Sequence, residues 1–115
     1  MSLGFAQVDF MEQLSVTVRG DSMWPTLKSG DVISCRTYAG EALLPKQIIV
    51  FPSPFDSTNI LIKRIKSVEN QLLFVEGDNP DPTASSDSHN FGKINSSTVI
   101  AVFAVSYTHL RAHET

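Results

Sequence analysis

The sequence predicts an all-β domain of mainly antiparallel strands. Short runs rich in β-branched and aromatic residues recur along the chain, and Gly, Pro, Asn and Asp separate them. Long helical periodicity is absent, and the best helical candidates are residues 5–14 and a turn or two after Ser22. Many short strands with this punctuation are typical of a sandwich or a partly closed barrel.

Six segments have the pattern of strands, and turn residues separate them. They are SVTVRG (15–20), DVISCRTY (31–38), QIIVF (47–51), NILIKRIKSV (59–68), QLLFVEG (71–77) and STVIAVFA (97–104). The third is followed by Pro52 and Pro54, which end it because proline cannot donate a ladder hydrogen bond. Glu69–Asn70, between the fourth and the fifth, is the predicted hairpin turn.

The composition is that of a single ordinary globular domain. Of 115 residues, 42% are hydrophobic and 18% are charged, which suits one modest core. A net charge of −3 argues against a nucleic-acid or anionic-membrane surface, which needs clustered Lys and Arg. No apolar run approaches the roughly 18 residues of a membrane span, and the start lacks the basic region of a signal peptide. We therefore expect a soluble, cytoplasmic protein with no integral membrane segment.

Neither the cysteine nor the histidines predict a metal or cofactor site. Cys35 is the only cysteine and lies in an apolar stretch, so we expect a buried, inert thiol. His109 and His113 are four residues apart, a spacing that can bind metal on a helix. The order HLRAHE, however, lacks the glutamate that directly follows the first histidine in the zinc-protease motif. We expect no metal and no cofactor.

The last eleven residues, VSYTHLRAHET (105–115), differ in style from the rest of the chain. This string matches the translation of a common sequencing-library adapter, so we expect a non-native tail that is no part of the fold. The chain then divides into an N-terminal segment (1–14), a folded domain (15–104) and this tail (105–115).

One long segment, GDNPDPTASSDSHNFG (77–92), consists of sixteen residues dominated by turn formers. Loops of this length without secondary structure are uncommon and are often functional. A disordered surface excursion is the alternative, since Asp, Asn, Ser and Pro all favour it. The glycines at both ends and the single Phe91 favour an ordered and functional loop.

The stretch RGDSMWPTL (19–27) places Ser22 at an abrupt bend. Either this serine only makes a turn, or it is a nucleophile and needs a base that removes its proton. His89 with Asp87 could supply that base, although two residues so close in sequence would have to point together across a loop.

Lys63 is the other candidate base. On a strand, one face carries Leu61, Lys63 and Ile65, and the other carries Ile62, Arg64 and Lys66. A lysine among buried aliphatic side chains is costly when charged, so it would be neutral or paired. The alternative is an amine that snorkels at a sheet edge, and the pattern leaves both open. Arg64 and Lys66 are expected to share the solvent.

Three segments, in order, resemble the boxes of the serine–lysine signal peptidases. GDSMWPTLKSGD (20–31) resembles the nucleophile box, IKRI (62–65) the lysine box, and the loop at 77–92 the last box. KQIIVF (46–51) also resembles the strand that precedes the lysine box. The resemblance covers residues 16–103 and implies that 15–104 is a serine–lysine peptidase domain. It also implies coiled antiparallel sheets of the signal peptidase and LexA-like catalytic type.

The resemblance implies a serine endopeptidase and a role for each matched residue. Ser22 would be the nucleophile and Lys63 the neutral general base. The supporting residues would be Gly20 and Met23 at the serine, Ser85 as the hydroxyl that orients the lysine, and Asp87 behind the site. The residues that hold the loop would be Gly77, Asp78, Asn79 and His89.

Two matched positions depart from the family. Gly20 stands where some members have a serine that adds to the oxyanion hole, so the hole would use backbone donors, including the Ser22 N–H. His89 stands where an arginine is usual, and histidine changes its charge near neutrality whereas arginine does not. We therefore expect activity to depend on His89 weakly, or through the stability of the loop.

The resemblance also implies a substrate class. Because no membrane anchor precedes the serine, we expect the soluble branch that removes the leader of nickel-type superoxide dismutase precursors. The partner would be a precursor polypeptide with an N-terminal leader, bound as an added strand, and not a nucleic acid. Three alternatives stay open: a fragment of a membrane-anchored signal peptidase I, a LexA-type self-cleaving domain, and a non-catalytic β binding module.

Overall fold

The computed structural model describes residues 13–84 and 86–104. In this part of the chain, seven strands form one sheet. They are β1 (Gln13–Thr17), β2 (Val32–Thr37), β3 (Ile48–Pro52), β4 (Ile60–Glu69), β5 (Leu72–Glu76), β6 (Ile94–Asn95) and β7 (Ala101–Phe103). A four-residue helix, α1 (Ser88–Phe91), and a 3₁₀ turn (Ser96–Thr98) join the last strands. Every strand pair is antiparallel, so the predicted all-β, mainly antiparallel class is confirmed.

The sheet is open, with strand order β1-β2-β7-β3-β4-β5-β6. Among the described residues, β1 pairs only with β2, and the two-residue β6 pairs only with β5. Closure would need a continuous ladder between these end strands, and none forms within residues 13–84 and 86–104. The described sheet is therefore not closed into a barrel, and its strands do not divide into the two sheets of a sandwich. The peptidase type of fold that the resemblance implies stays a prediction.

The first predicted strand ends early, at Thr17, because the chain turns away there. The Val18 N–H donates to the Asp31 carbonyl at 2.8 Å, and the Val18 carbonyl accepts from the Gly30 N–H at 2.8 Å. These two bonds close the segment between β1 and β2 and bring its ends together.

The hairpin between β4 and β5 turns at residues 70–71, one residue later than predicted. Glu69 is still paired, opposite Leu72, so it belongs to the strand. Asn70 takes a φ of 58°, a left-handed conformation that asparagine tolerates better than most residues.

The last predicted strand begins late, at Ala101, because a capped turn precedes it. The Asn95 side-chain oxygen accepts the Ser97 N–H at 2.9 Å and starts the 3₁₀ turn. Neither β6 nor α1 was expected from the sequence. No helix within the described residues is long and apolar enough to cross a membrane.

Apolar side chains cover both faces of the sheet. Along β3, Ile48 and Val50 belong to one core cluster, whereas Ile49 and Phe51 belong to the other. β7 alternates between the clusters in the same way. Strands that are buried on both faces have continuous apolar sequences, which explains the sequences of β3 and β7.

Cys35 lies in the first core cluster, with almost none of its surface exposed. Burial raises the pKa of its thiol to about 11, which keeps it protonated at neutral pH. The prediction of a buried thiol is confirmed.

Candidate active site

Ser22 lies in the serine turn, residues 20–27, which follows β1. Gly20 opens this turn with a φ of 80°, a conformation that favours glycine, and its N–H donates to Ser29 Oγ at 3.2 Å. Met23 and Leu27 are buried in the core, and the Leu27 N–H donates to the Met23 carbonyl at 2.9 Å. The predicted helix after the serine is thus a single turn, which presents a half-buried Ser22.

Lys63 lies on β4 with 1% of its surface exposed. Its cross-strand partner on β3 is Ile49, and Ile65, two residues along, is also buried, so the predicted apolar face exists. Burial lowers the pKa of Lys63 to about 8, while the negative charge of Asp87 acts in the opposite direction. The alternative of an amine that snorkels into solvent at a sheet edge is therefore wrong.

Ser22 and Lys63 line the same cleft, which has a volume of about 400 Å³. One wall is formed by residues 16–22 and the other by residues 59–63, and Val50 and Ala84 complete the lining. A serine and a lysine with a lowered pKa thus line one concave surface, as a serine nucleophile and its base would.

Both walls of the cleft have an open backbone edge. β1 pairs with β2 on one side only. Residues 60–63 of β4 pair with β3, whereas the pairing with β5 begins at Arg64. In the described part of the chain no strand occupies the second edge of either segment, so the backbone groups along both edges are open to an added strand.

The loop at 77–92 is anchored by two hydrogen-bonding side chains near α1. Asp87 caps the helix in a capping box. The buried Ser88 Oγ accepts the Val75 N–H of β5 at 2.9 Å. The loop is therefore ordered at these residues, as predicted, and its functional role stays a prediction. Ser85, predicted to orient the lysine, lies outside the described residues.

Asp87 and His89 form a local pair. Asp87 Oδ1 lies 2.9 Å from the His89 N–H nitrogen, which donates to it, and 2.9 Å from the ring Nδ1. Burial acts to raise the pKa of Asp87, but hydrogen bonds from His89 and from the Gly77 N–H lower it below its ordinary value. The His89 side chain is 62% exposed, packs against Phe74, and is not among the described residues that line the cleft. The two residues do point together, but the pair supports α1 and does not bring a base to the cleft.

Asp78 joins the serine turn to β4. It accepts two hydrogen bonds from Arg64, Nε to Oδ1 at 2.8 Å and Nη2 to Oδ2 at 2.7 Å, and one from Thr26 Oγ1 at 2.6 Å. Lys66 is exposed, as expected, whereas Arg64 reaches the solvent only in part, with 30% of its side chain exposed in this ion pair. The roles of Arg64 and Thr26 were missed because their common partner is far from both in sequence.

Asn79 binds the serine turn directly. Its N–H donates to the Ser22 carbonyl at 3.0 Å, and its Nδ2 donates to the Asp21 carbonyl at 2.8 Å. Asn79 Oδ1 also accepts the Asp81 N–H at 2.9 Å, which fixes the amide in one orientation. The structural role predicted for Asp78 and Asn79 therefore extends to the backbone that carries the serine.

The described residues contain no group of three or more His, Cys, Asp or Glu side chains that could hold a metal ion. His109 and His113, which have a metal-binding spacing, lie outside that part of the chain. No metal or cofactor is needed for the chemistry of a serine and a neutral lysine.

Comparison with known proteins adds nothing to this geometry. No protein-family model matches the chain, and no significant match is found among curated proteins. The chemistry of the cleft is therefore inferred from its own residues.

Proposed function

We propose that this chain is a serine endopeptidase in which Ser22 is the nucleophile and Lys63 the general base. The observation that carries the proposal is the shared cleft, which Ser22 and a lysine buried on an apolar strand face both line. A buried lysine costs free energy that a structural position would avoid. A buried lysine of lowered pKa that lines a cleft together with a serine is a candidate catalytic base.

In the proposed reaction, the neutral Lys63 Nζ takes the proton of the Ser22 hydroxyl while Oγ attacks the scissile carbonyl carbon. The carbonyl oxygen becomes an oxyanion, and the Ser22 N–H can donate to it, since no described acceptor binds this N–H. The Gly20 N–H is already bound to Ser29. The C–N bond then breaks, and the protonated lysine gives its proton to the leaving amine. A water molecule, deprotonated by Lys63, hydrolyses the acyl-enzyme, and Ser22 regains its proton from the lysine.

The open edges of the cleft support an extended peptide as the substrate. A leader that precedes a folded domain is accessible and unpaired, so it can add as a strand between residues 16–18 and 60–63. We therefore propose a precursor polypeptide as the physiological substrate. The precursor of a nickel-type superoxide dismutase is the first to test, and a secretory preprotein is the second.

The test is cleavage by the purified chain of both precursors and of a mixed peptide library, with products identified by mass spectrometry. Ser22→Ala and Lys63→Ala are expected to lower the rate at least about a thousandfold. Ser57→Ala and Lys66→Ala are matched controls, because both side chains are exposed and neither lines the cleft. These two variants are expected to retain the wild-type rate.

Three outcomes would contradict separate parts of the proposal. Absence of cleavage in every assay argues against an endopeptidase and for a binding module. Cleavage that survives Lys63→Ala excludes the lysine as the base. Cleavage of library peptides but of neither precursor leaves the chemistry intact and overturns the substrate.

A further inference from the structure

The sheet connects Ser22 to Lys63 only by a long path. The serine turn follows β1, Lys63 lies on β4, and three strands, β2, β7 and β3, separate β1 from β4 in the sheet. Small shifts at each strand pair would add up between the two side chains. A serine–lysine pair must nevertheless be held to within a fraction of an ångström for efficient proton transfer.

Asp78 and Asn79 provide a direct connection across this gap. Asp78 binds Arg64, the residue next to Lys63, and Thr26 in the serine turn, and Asn79 binds the carbonyls of Asp21 and Ser22. Two neighbouring loop residues therefore hold the serine turn at both ends and β4 beside the lysine.

The Arg64–Asp78 pair differs from an ordinary surface ion pair. The two parallel bonds match the fork of a guanidinium to a carboxylate, and a third nitrogen, Nη1, donates to the Lys46 carbonyl at 2.8 Å. The side chains are 30% and 15% exposed, less than in exposed pairs that contribute little. Although burial opposes it, hydrogen bonds from Arg64 and Thr26 hold the pKa of Asp78 below its ordinary value, so the carboxylate stays charged.

We propose that Arg64 and Asp78 are positioning residues, whose bidentate ion pair sets the distance between Ser22 and Lys63. The inference rests on the proposed function of these two residues as nucleophile and base. In this role Arg64 does not act on the Ser22 hydroxyl or the Lys63 amine directly. It acts by fixing β4 against the loop that holds the serine turn.

The decisive variant is Arg64→Lys, which keeps the positive charge but cannot form two parallel bonds. The assay uses the library peptide that the wild type cleaves fastest. We expect kcat to fall about 10- to 100-fold, as for a catalytic pair displaced by about 1 Å. KM is expected to change less than about threefold, because the walls of the cleft remain. Arg64→Gln should lose more kcat than Arg64→Lys.

Arg36→Lys is the matched control. Arg36 also makes a short ion pair, to Glu41 at 2.8 Å, but this pair is more exposed and lies outside the cleft. Each variant is assayed far below its melting temperature, with circular dichroism to verify that it is folded. A purely structural role would lower the melting temperature of Arg64→Lys and leave kcat per folded molecule unchanged.

The outcomes separate this inference from the function on which it rests. A fall in kcat in folded Arg64→Lys, with wild-type kinetics in Arg36→Lys, supports it. If the wild type is active and folded Arg64→Lys has the same kcat, the positioning role alone is overturned. A wild type that cleaves no peptide overturns the function and the positioning role together.

Discussion

Lys63 is the residue at which the chain departs most from the rules of a structural core. Its long side chain is buried on a strand face that it shares with aliphatic residues. Burial stabilises the neutral amine relative to the ammonium, and the negative charge of Asp87 limits that effect. The result is a lysine with a pKa of about 8, which is neutral often enough near physiological pH to act as a base.

The pH dependence of cleavage follows from this value. We expect kcat/KM to rise with pH and to reach half its maximum near pH 8, because Lys63 accepts a proton only when it is neutral. At lower pH the neutral fraction, and with it the rate, falls about tenfold per pH unit. Measurement of kcat/KM across the neutral and alkaline range checks the midpoint. If the midpoint lay clearly below pH 7 and His89→Gln abolished this pH dependence of kcat/KM, the base would instead be a histidine.

Asp87→Asn tests the origin of the shift. Asparagine still caps a helix, but it removes the negative charge that raises the pKa of Lys63, so the midpoint should move to lower pH. Asp81→Asn is the control, since Asp81 is an exposed carboxylate on the same loop and has no such effect on Lys63. An unmoved midpoint in a folded Asp87→Asn protein would exclude this electrostatic coupling.

Strand alternation placed Lys63 beside Leu61 and Ile65, but it left open whether the amine is buried or snorkels at a sheet edge. The environment of Arg64 was not predictable from the sequence. Its partner Asp78 lies 14 residues away, and only the folded loop brings the two together. Alternation assigns a face to a side chain, but it does not identify what packs on that face.

At the scale of elements, the loop at 77–92 shows how polar residues build order without a core of their own. Asp81 accepts the Thr83 N–H at 2.9 Å, and Asp87 accepts the His89 N–H at 2.9 Å, so short side chains replace missing backbone partners. Its length and its glycines predicted an ordered loop. The helix α1 escaped prediction because four residues are too few to show helical periodicity.

The Asp87–His89 pair predicts unequal effects of two alanine substitutions. His89→Ala removes a largely exposed ring outside the cleft, so we expect at most about a threefold loss of kcat/KM. Asp87→Ala removes the helix cap and should lower the free energy of unfolding by about 1 kcal/mol. Kinetics and urea unfolding of both variants check this order. Complete loss of activity in a folded His89→Ala protein would favour the histidine as the base.

At the scale of the whole molecule, β7 joins the half of the sheet that carries the serine to the half that carries the lysine. It pairs with β2 on one side and with β3 on the other. The sequence predicted a strand here but not its central place, since strand order depends on contacts between residues far apart in the chain. The same limit explains why the short strands did not distinguish a sandwich from a partly closed barrel, whereas the structure has one sheet with β1 and β6 as its end strands.

This arrangement predicts that a polar substitution in β7 disrupts both halves together. Val102 is buried and lies opposite Arg36 on β2 and Ile49 on β3. Val102→Asp places an unpaired carboxylate in the core, and we expect a loss of more than about 3 kcal/mol in the free energy of unfolding. Ile100→Asp is the matched control, because that side chain is partly exposed just before the strand, and its loss should stay within about 1 kcal/mol.

Urea unfolding of both variants can be followed with two probes. Circular dichroism reports the strands, and fluorescence of Trp24, the only tryptophan, reports the serine turn. If β7 joins the two halves, both signals move to lower urea together in Val102→Asp, and peptide cleavage is lost with them. If the circular dichroism signal of the strands is lost while the Trp24 fluorescence keeps its wild-type urea midpoint, the serine half folds without β7. The central role of this strand would then be wrong.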